Sequence, residues 1–355
     1  MATPLALMAA DGFEQVTYAH DRASGLRAIV AIHSTVLGPG LGGTRFWPFA
    51  TEGEALVDVC RLARGMTYKH AAAGLDQGGG KAVIIGDPAR LRSDELILAY
   101  GAFVDGLGGR YVTAEDVGTT QADMDLIRTV TPHVTGVSEA LGGSGDPSPA
   151  TALGVLWAMR AVAERLWGTA SLAGRHVCIN GVGKVGGALA DHLHGEGARL
   201  TVADIRPSAV AEVVRRTGAA VVDPARAHAV AADVFAPCAL GAELSASTIP
   251  ELRCRAVVGS ANNQLATAED AHRIHDSGVL YAPDYIVNAG GVINIAQELR
   301  GYVRAEADER IRRIHDTVLR VFDLADTDGI TTAAAADQLA ERRIEATRLE
   351  RGQPS

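Results

Sequence analysis

The chain has 355 residues, enough for two domains, and 47% of them are hydrophobic, as in a globular protein. A formal net charge of −9 argues against a general nucleic-acid or membrane-surface binder, and no run approaches the roughly 18 apolar residues of a membrane span. Forty glycines, few aromatics and four scattered cysteines (Cys60, Cys178, Cys238, Cys254) predict an α/β enzyme of a reducing, cytoplasmic compartment, with no disulfide framework, zinc site or signal peptide.

Residues 25–34, GLRAIVAIHS, have the short apolar core of a strand. Gly38 to Arg45 follow, a stretch whose glycine content reads as a loop. Thr51 to Glu54 form a T-x-x-E capping box ahead of Leu56, Val59, Ala63 and Met66 at helical spacing. The predicted helix delivers Lys69 near its C-terminal end. The segment from Met66 to Lys81, MTYKHAAAGLDQGGGK, sets two lysines on either side of a small, almost uncharged stretch. Gly78 to Gly80 run directly into Lys81, and the apolar run 82–85 reads as a buried strand that Lys81 opens. Glycine at that density admits positive φ and lets a ligand approach closely. Burial and a like charge from Lys69 would both disfavour the ammonium form, which makes Lys81 a candidate base. Lys69 is then a candidate anchor for an anionic substrate. The alternatives are a phosphate cradle or an ordinary glycine-rich turn; a Walker sequence is absent, since no Ser or Thr follows the lysine.

Residues 93–107 read as an amphipathic helix and 110–113 as a short strand, after which comes Ala114-Glu115-Asp116-Val117-Gly118-Thr119. Carboxylates at a strand end are either functional, because such loops carry chemistry, or a helix cap or surface turn. The Gly/Pro/Ser stretch 141–149 reads as an interdomain linker. Ser148 as N-cap and Pro149 at the first helical position open a helix through about Leu166.

Val177-Cys178-Ile179 is a buried strand, followed at once by Gly181-Val182-Gly183-Lys184-Val185-Gly186, a helix over 188–193, and a second strand over 199–203 that ends in Asp204. This is G-x-G-x-x-G in its strand–turn–helix–strand frame with an acidic residue about 20 positions on, the pattern of a dinucleotide site. The glycines permit the tight turn and the approach of a pyrophosphate to the helix N-terminus, and Asp204 would accept from the adenosine ribose hydroxyls. Its carboxylate would repel a 2′-phosphate, which favours NAD, although Arg206 stands nearby. Strands are also expected at 233–236, 256–259 and 279–282, ending in loops 237–241, 260–263 and 283–285 at the carboxyl edge of a parallel sheet. Asn262 and Asn263 either face a ligand there or cap a helix. Residues 286–295 are core or a wall against cofactor and substrate, and the tail from about Ala333 is a helix that packs back on the first domain. His192 and His194 lie two apart and do not share a helix face, and no HExxH or Cys/His cluster exists, so no metal is expected.

Taken together, LGGTRFWP (41–48), ARGMTYKHAAAGLDQGGGKAVI (63–84), TAEDVGT (113–119), GVGKVG (181–186), APCALG (236–241), SANNQL (260–265) and APDYIVNAGGVIN (282–294) resemble the Glu/Leu/Phe/Val amino-acid dehydrogenase family over nearly the whole chain, in the family's order. The likeness is nearest to its branched-chain members. It implies reversible NAD-dependent oxidative deamination of an L-amino acid to a 2-oxo acid and ammonium. By that resemblance Lys69 binds the substrate carboxylate, Lys81 is the catalytic base and Asp116 shuttles protons at the amino nitrogen. Gly42, Met66 and Asn262 join the substrate contacts, and Leu41, Ala114, Val292 and Ile295 correspond to its side-chain pocket, with no charge to meet a γ-carboxylate. The cofactor contacts it implies are Gly181, Gly183, Val185, Gly186, Asp204, Cys238, Ala239, Asn262, Asn263 and Asn288, with Thr151 on the carboxamide.

The expected architecture is α/β in two domains with a cleft between them. Residues 1–134, completed by a C-terminal helix at 329–355, form the substrate domain, and residues 135–328 form a doubly wound Rossmann domain for NAD. The resemblance also implies a homo-oligomer. Two other readings stand: a phenylalanine-using member of the family, and a non-catalytic NAD-binding protein on the same scaffold. The joint presence of Lys69, Lys81 and Asp116 opposes the last, because binding alone requires none of them.

Overall fold

The computed structural model describes residues 3–352, which fall into two compact units. The first takes the chain as far as Asp146, together with Ile295–Arg304 and the chain from Ala340 onward; the second takes Pro147–Asn294 and Ala305–Leu339.

In the first unit the chain runs α1 (Pro4–Asp11), β1 (Gln15–Asp21), β2 (Leu26–Ser34), β3 (Gly40–Trp47), α2 (Glu52–Ala72), β4 (Gly78–Ile85), α3 (Pro88–Leu91), α4 (Asp94–Asp105), β5 (Tyr111–Glu115) and α5 (Gln121–Arg128). The strands form one mixed sheet in the order β1-β2-β4-β3-β5, with β3 parallel to both β4 and β5. One face carries α2, where Ala55, Val59 and Ala63 pack on Ile29, Ala31 and Val83. The other is covered from α4 and α5 by Ile97, Tyr100, Met124 and Ile127 against Val30, Phe46 and Ile84.

Two stretches read as glycine-rich loops are strands: Gly40–Trp47 is β3, and Gly78 to Gly80 are the first residues of β4, so Lys81 lies inside that strand. The glycines are there because the backbones lie too close for side chains. A Cβ on Gly42 would stand 1.9 Å from the Gly80 carbonyl oxygen, and one on Gly79 would stand 1.9 Å from Thr67 Oγ1 on α2. Thr51 caps α2 as expected, accepting from the Glu54 amide at 3.1 Å, while the Glu54 carboxylate reaches the Ala50 amide instead of closing the box on Thr51.

The second unit opens with α6 (Ser148–Trp167); its N-cap is Pro147 and not Ser148, so the helix begins one residue earlier than expected. It continues through β6 (His176–Asn180), α7 (Lys184–Gly195), β7 (Arg199–Ala203), α8 (Pro207–Thr217), β8 (Ala220–Val221), β9 (Val234–Pro237), β10 (Ala256–Val257), α9 (Glu269–Asp276), β11 (Leu280–Tyr281), α10 (Asp284–Val287), α11 (Gly290–Gln297), α12 (Arg304–Arg312), α13 (Ile314–Asp328) and α14 (Thr332–Glu350). Its six strands are all parallel in the order β11-β10-β9-β6-β7-β8, the doubly wound arrangement in which ligands bind where the strand order reverses, here between β6 and β9. The two-residue β8 had no signal in the sequence.

The division falls after Asp146, not at 134/135. Val134 bridges to Thr113, Val137 enters the core beneath α4 and α5, and Asp125 accepts from the Ser138 amide at 2.7 Å. Glu298 then accepts from the amides of Gly136 at 3.0 Å and Ser144 at 2.9 Å, fastening the glycine-rich stretch to the first unit. The C-terminal return begins at Ala340, later than the expected 329. There the Arg343 guanidinium donates to the carbonyls of His70, Ala71 and Leu75 and so closes the end of α2. No helix among the described residues is long and apolar enough to cross a membrane.

Candidate active site

Residues facing one another across β4, β3 and β5 point to the same side of the sheet. Leu41 pairs with Gly79 and Val112, Gly43 with Ala114, and Arg45 with Val83. Lys81, two residues from both Gly79 and Val83, shares that side, and because Gly79 abuts Ala63 and Thr67, it is the side on which α2 lies. One face thus gathers Leu41, Lys81, Ala114 and the strand-end Asp116 under the helix that carries Met66 and Lys69. Leu41 and Ala114 are buried, Met66 and Lys69 half-buried. Gly42 points to the other face, where its carbonyl accepts from Tyr111 Oη at 2.5 Å.

Lys81 Nζ stands 3.1 Å from Asp116 Oδ2, with the lysine side chain 8% exposed and the aspartate 23%. Lys81 thus has a carboxylate as an ion-pair partner, which the sequence reading did not anticipate. Burial alone would raise the Asp116 carboxyl, but Lys81 and Arg45 outweigh it and hold the carboxyl below its usual range. The loop after β5 is pinned: Thr119 Oγ1 donates to the Thr44 carbonyl at 2.9 Å, and the Phe46 amide donates to the Val117 carbonyl at 2.8 Å. Gly118, at φ +85, lies where a Cβ would be 2.0 Å from the Phe46 carbonyl. Gly43 clears the space beside Asp116, since a Cβ there would come within 2.8 Å of the aspartate Cβ.

In the second unit the loops after β6 and β9 meet at the switch point. The Cys238 amide donates to the Asn180 carbonyl at 2.7 Å, and Gly181, at φ +98, faces Ala239. The three glycines of GVGKVG have different neighbours. A Cβ on Gly181 would fall 2.6 Å from the Ala239 amide, and one on Gly186 would fall 1.9 Å from the Gly181 carbonyl. On Gly183 it would meet only the end of the Arg206 side chain, at 3.4 Å. Gly183 is the N-cap of α7 and offers no capping side chain, and a helix N-terminus left without such a cap suits a pyrophosphate. Val185 lies in that first turn. Asp204 accepts from the Val182 amide at 2.9 Å and from the Arg206 amide at 2.8 Å, with the Arg206 guanidinium at 3.3 Å. Burial would raise its carboxyl, and these donors overcome that and hold it low.

Asn262 and Asn263 are exposed and cap no helix, since α9 begins at Glu269. Asn263 has φ 53 and its carbonyl accepts from Ala242, itself at φ 61. Two non-glycine residues in the left-handed region on facing loops mark a strained segment of the kind found at ligand sites. Asn288 Nδ2 donates to Asn262 Oδ1 at 2.7 Å and to the Ser260 carbonyl, while its buried Oδ1 has no partner. Thr151 Oγ1 donates to the Pro147 carbonyl at 3.0 Å and abuts Gly291. Val292 and Ile295 lie on α11, buried and half-buried. Among the described residues no group of three or more His, Cys, Asp or Glu is placed to hold a metal.

The sequence reading missed Arg45, which binds Asp116, and Asp58, which binds Arg45; the signal was a lone arginine inside an otherwise uncharged, glycine-rich stretch. It also missed Glu243, to which Asn180 Nδ2 donates and whose carboxyl burial pushes up to about 7.

Residues 13–133 match the family model described as Glu/Leu/Phe/Val dehydrogenase, dimerisation domain, and residues 142–212 and 202–352 match that of Glutamate/Leucine/Phenylalanine/Valine dehydrogenase. A leucine dehydrogenase of Geobacillus stearothermophilus is 53% identical over 339 residues, covering 96% of this chain and 92% of that protein. A valine dehydrogenase of Streptomyces coelicolor is 52% identical over 336 residues, covering 94% of this chain and 92% of that one. The crystal structure of an L-tryptophan dehydrogenase from Nostoc punctiforme superposes with a TM-score of 0.86 at 41% identity, covering 96% of this chain and 98% of that one.

Proposed function

The chain belongs to the Glu/Leu/Phe/Val dehydrogenase family, and on that premise we propose that it catalyses the reversible, NAD-dependent oxidative deamination of branched-chain L-amino acids to 2-oxo acids and ammonium. The observation that carries this reading is the Lys81–Asp116 pair, a base and a proton carrier 3.1 Å apart on a largely buried sheet face. A dinucleotide bound in the second unit would supply the acceptor for the hydride that leaves the substrate Cα. Lys69 orients the substrate through its carboxylate. Lys81 takes a proton from the water that adds to the resulting iminium carbon, and Asp116 passes a proton to the nitrogen so that ammonia leaves. Met66 and Asn262 would complete the substrate contacts, and Gly42, on the other face of the sheet, would contribute only backbone atoms.

The dinucleotide reading rests on the open cradle at Gly183 and the uncapped start of α7. Gly181, Val185 and Gly186 shape that turn, Cys238 and Ala239 border it, and Asn262, Asn263, Asn288 and Thr151 attend the nicotinamide end. The buried Asn288 Oδ1 without a partner suits a donor on the ligand. Asp204 supports NAD over NADP, since its carboxylate is held ionised where a 2′-phosphate would lie. Leu41, Ala114, Val292 and Ile295 bring no charge to the side-chain pocket, which supports an aliphatic substrate. One methylene changes discrimination by only about 1–3 kcal/mol, so valine, leucine and isoleucine should all react. The dimerisation domain named in the N-terminal match supports a homo-oligomer, and the four free cysteines suit a reducing cytoplasm.

The test is NADH formation with a panel of L-amino acids, run in parallel with NADP. Turnover of the three branched-chain substrates with NAD, and little with glutamate or phenylalanine, is expected. Phenylalanine as best substrate would show the pocket misread. Lys81→Ala should abolish turnover and keep NAD binding; unaltered activity in that variant would refute the mechanism.

A further inference from the structure

We propose that Arg45, tethered by Asp58, is the positioning residue of the Lys81–Asp116 pair: it fixes which carboxylate oxygen meets the lysine and keeps that carboxylate charged. The inference rests on the acid–base reading above.

Asp116 Oδ2 receives both cations, Lys81 Nζ at 3.1 Å and Arg45 Nε at 3.3 Å. Two cations on one oxygen restrict the rotation of the carboxyl. Arg45 reaches Asp116 from β3 while its Nη1 is held by Asp58 Oδ2 at 2.7 Å from α2. Asp58 Oδ1 is in turn engaged by Arg61 at 3.1 Å. The guanidinium is thus bound at two edges by two carboxylates on different elements, a geometry that its planar fork permits and a lysine ammonium cannot copy. With all five groups ionised, two carboxylates stand among three cations. Arg45 supplies the positive charge that keeps Asp116 ionised even when Lys81 has given up its proton. A lysine–aspartate pair alone would then be one carboxylate with no cation beside it.

The experiment compares pH profiles of kcat/KM for an aliphatic amino acid with NAD in the wild type, Arg45→Gln, Arg45→Lys and Asp58→Asn, each checked by circular dichroism. Removing the cation raises the pH at which the coupled pair loses its protons, so the acid limb of R45Q should move up by about half a unit to one unit. Its kcat should fall on the order of tenfold to a hundredfold with KM for the dinucleotide unchanged. R45K should return the limb towards its wild-type position while leaving kcat depressed, because charge is restored and the fork is not. D58N keeps the cation but frees it, so kcat should fall without the upward shift. A wild-type profile in R45Q, or wild-type kcat in R45K, would overturn the proposal. If R45Q fails to fold, R45K and D58N decide it alone, full kcat in either being the contrary result. An active Lys81→Ala would remove the acid–base reading itself, whereas an inactive one beside an unshifted R45Q removes only the role of Arg45.

Discussion

At the scale of the residue, His70 shows how the sheet face exacts a titration cost. Its Nδ1 hydrogen-bonds the Gly78 carbonyl at 2.7 Å and its Nε2 is buried without a partner. Burial drives its pKa down to about 4, against a smaller opposing effect of the Gly78 carbonyl. A histidine depressed in the fold contributes stability that is complete above the unfolded value near 6.5 and is lost as pH falls towards 4. The full difference is roughly 3 kcal/mol. Urea unfolding of wild type and His70→Gln at pH 7.5 and pH 4.5 should show the wild type losing about that much more between the two; equal losses would mean the ring is not held neutral. Gly183 and Gly186 make a second pair of expectations. A Cβ on Gly186 strikes a carbonyl at 1.9 Å, whereas on Gly183 it meets only a flexible arginine tip. Gly183→Ala should therefore melt like the wild type and bind NADH weakly, while Gly186→Ala should lose stability outright. Normal NADH affinity in Gly183→Ala would place the pyrophosphate elsewhere.

Among the elements, β4 has the most consequence for the site. Its three glycines let α2 and β3 approach until side chains would collide, and that closeness puts Lys81 beneath α2 and beside Asp116. Gly79→Ala would have to displace α2 at Thr67 and Ala63, where backbone atoms stand 2.4–2.5 Å from the added carbon. The expected cost is about 2–3 kcal/mol, read from the urea midpoint, together with lower turnover because Lys69 sits on the displaced helix. An unchanged midpoint would mean that the helix yields freely. The same glycines explain why β3, and the first three residues of β4, did not read as strand. Glycine weakens a strand by local propensity, and only the neighbours across the sheet supply the reason for it. By contrast α2, α4 and α6 were legible because their periodic apolar faces and caps are local signals, and α6 was misplaced by only one residue.

For the whole molecule, the proposed dinucleotide binding would couple to the stability of the second unit, which holds all of GVGKVG and Asp204. NADH at a hundredfold excess over its Kd should stabilise the fold by about 2.7 kcal/mol, and NADPH much less. Thermal melting with each dinucleotide reads this without reference to turnover, and an equal shift by NADPH would mean that Arg206, not Asp204, governs the ribose. The doubly wound character of the second unit followed from the sequence because a βαβ frame leaves few alternatives. The limit of the first unit did not, because Glu298 binds Gly136 and Ser144 from more than 150 positions away in the chain.

The sequence by itself determined the two α/β units through spacing and periodicity, and the family through the resemblance of its motifs; it also supplied Lys69, Lys81, Asp116 and Asp204 as the residues proposed for the site. Only the tertiary structure decided that Lys81 pairs with Asp116, that Arg45 and Asp58 complete the cluster, and that the triple glycine is strand. Each of these depends on which backbone lies across from which. Pair distances between β3, β4, β5 and α2 are set by packing, and packing is a property of contacts between residues that the sequence holds far apart.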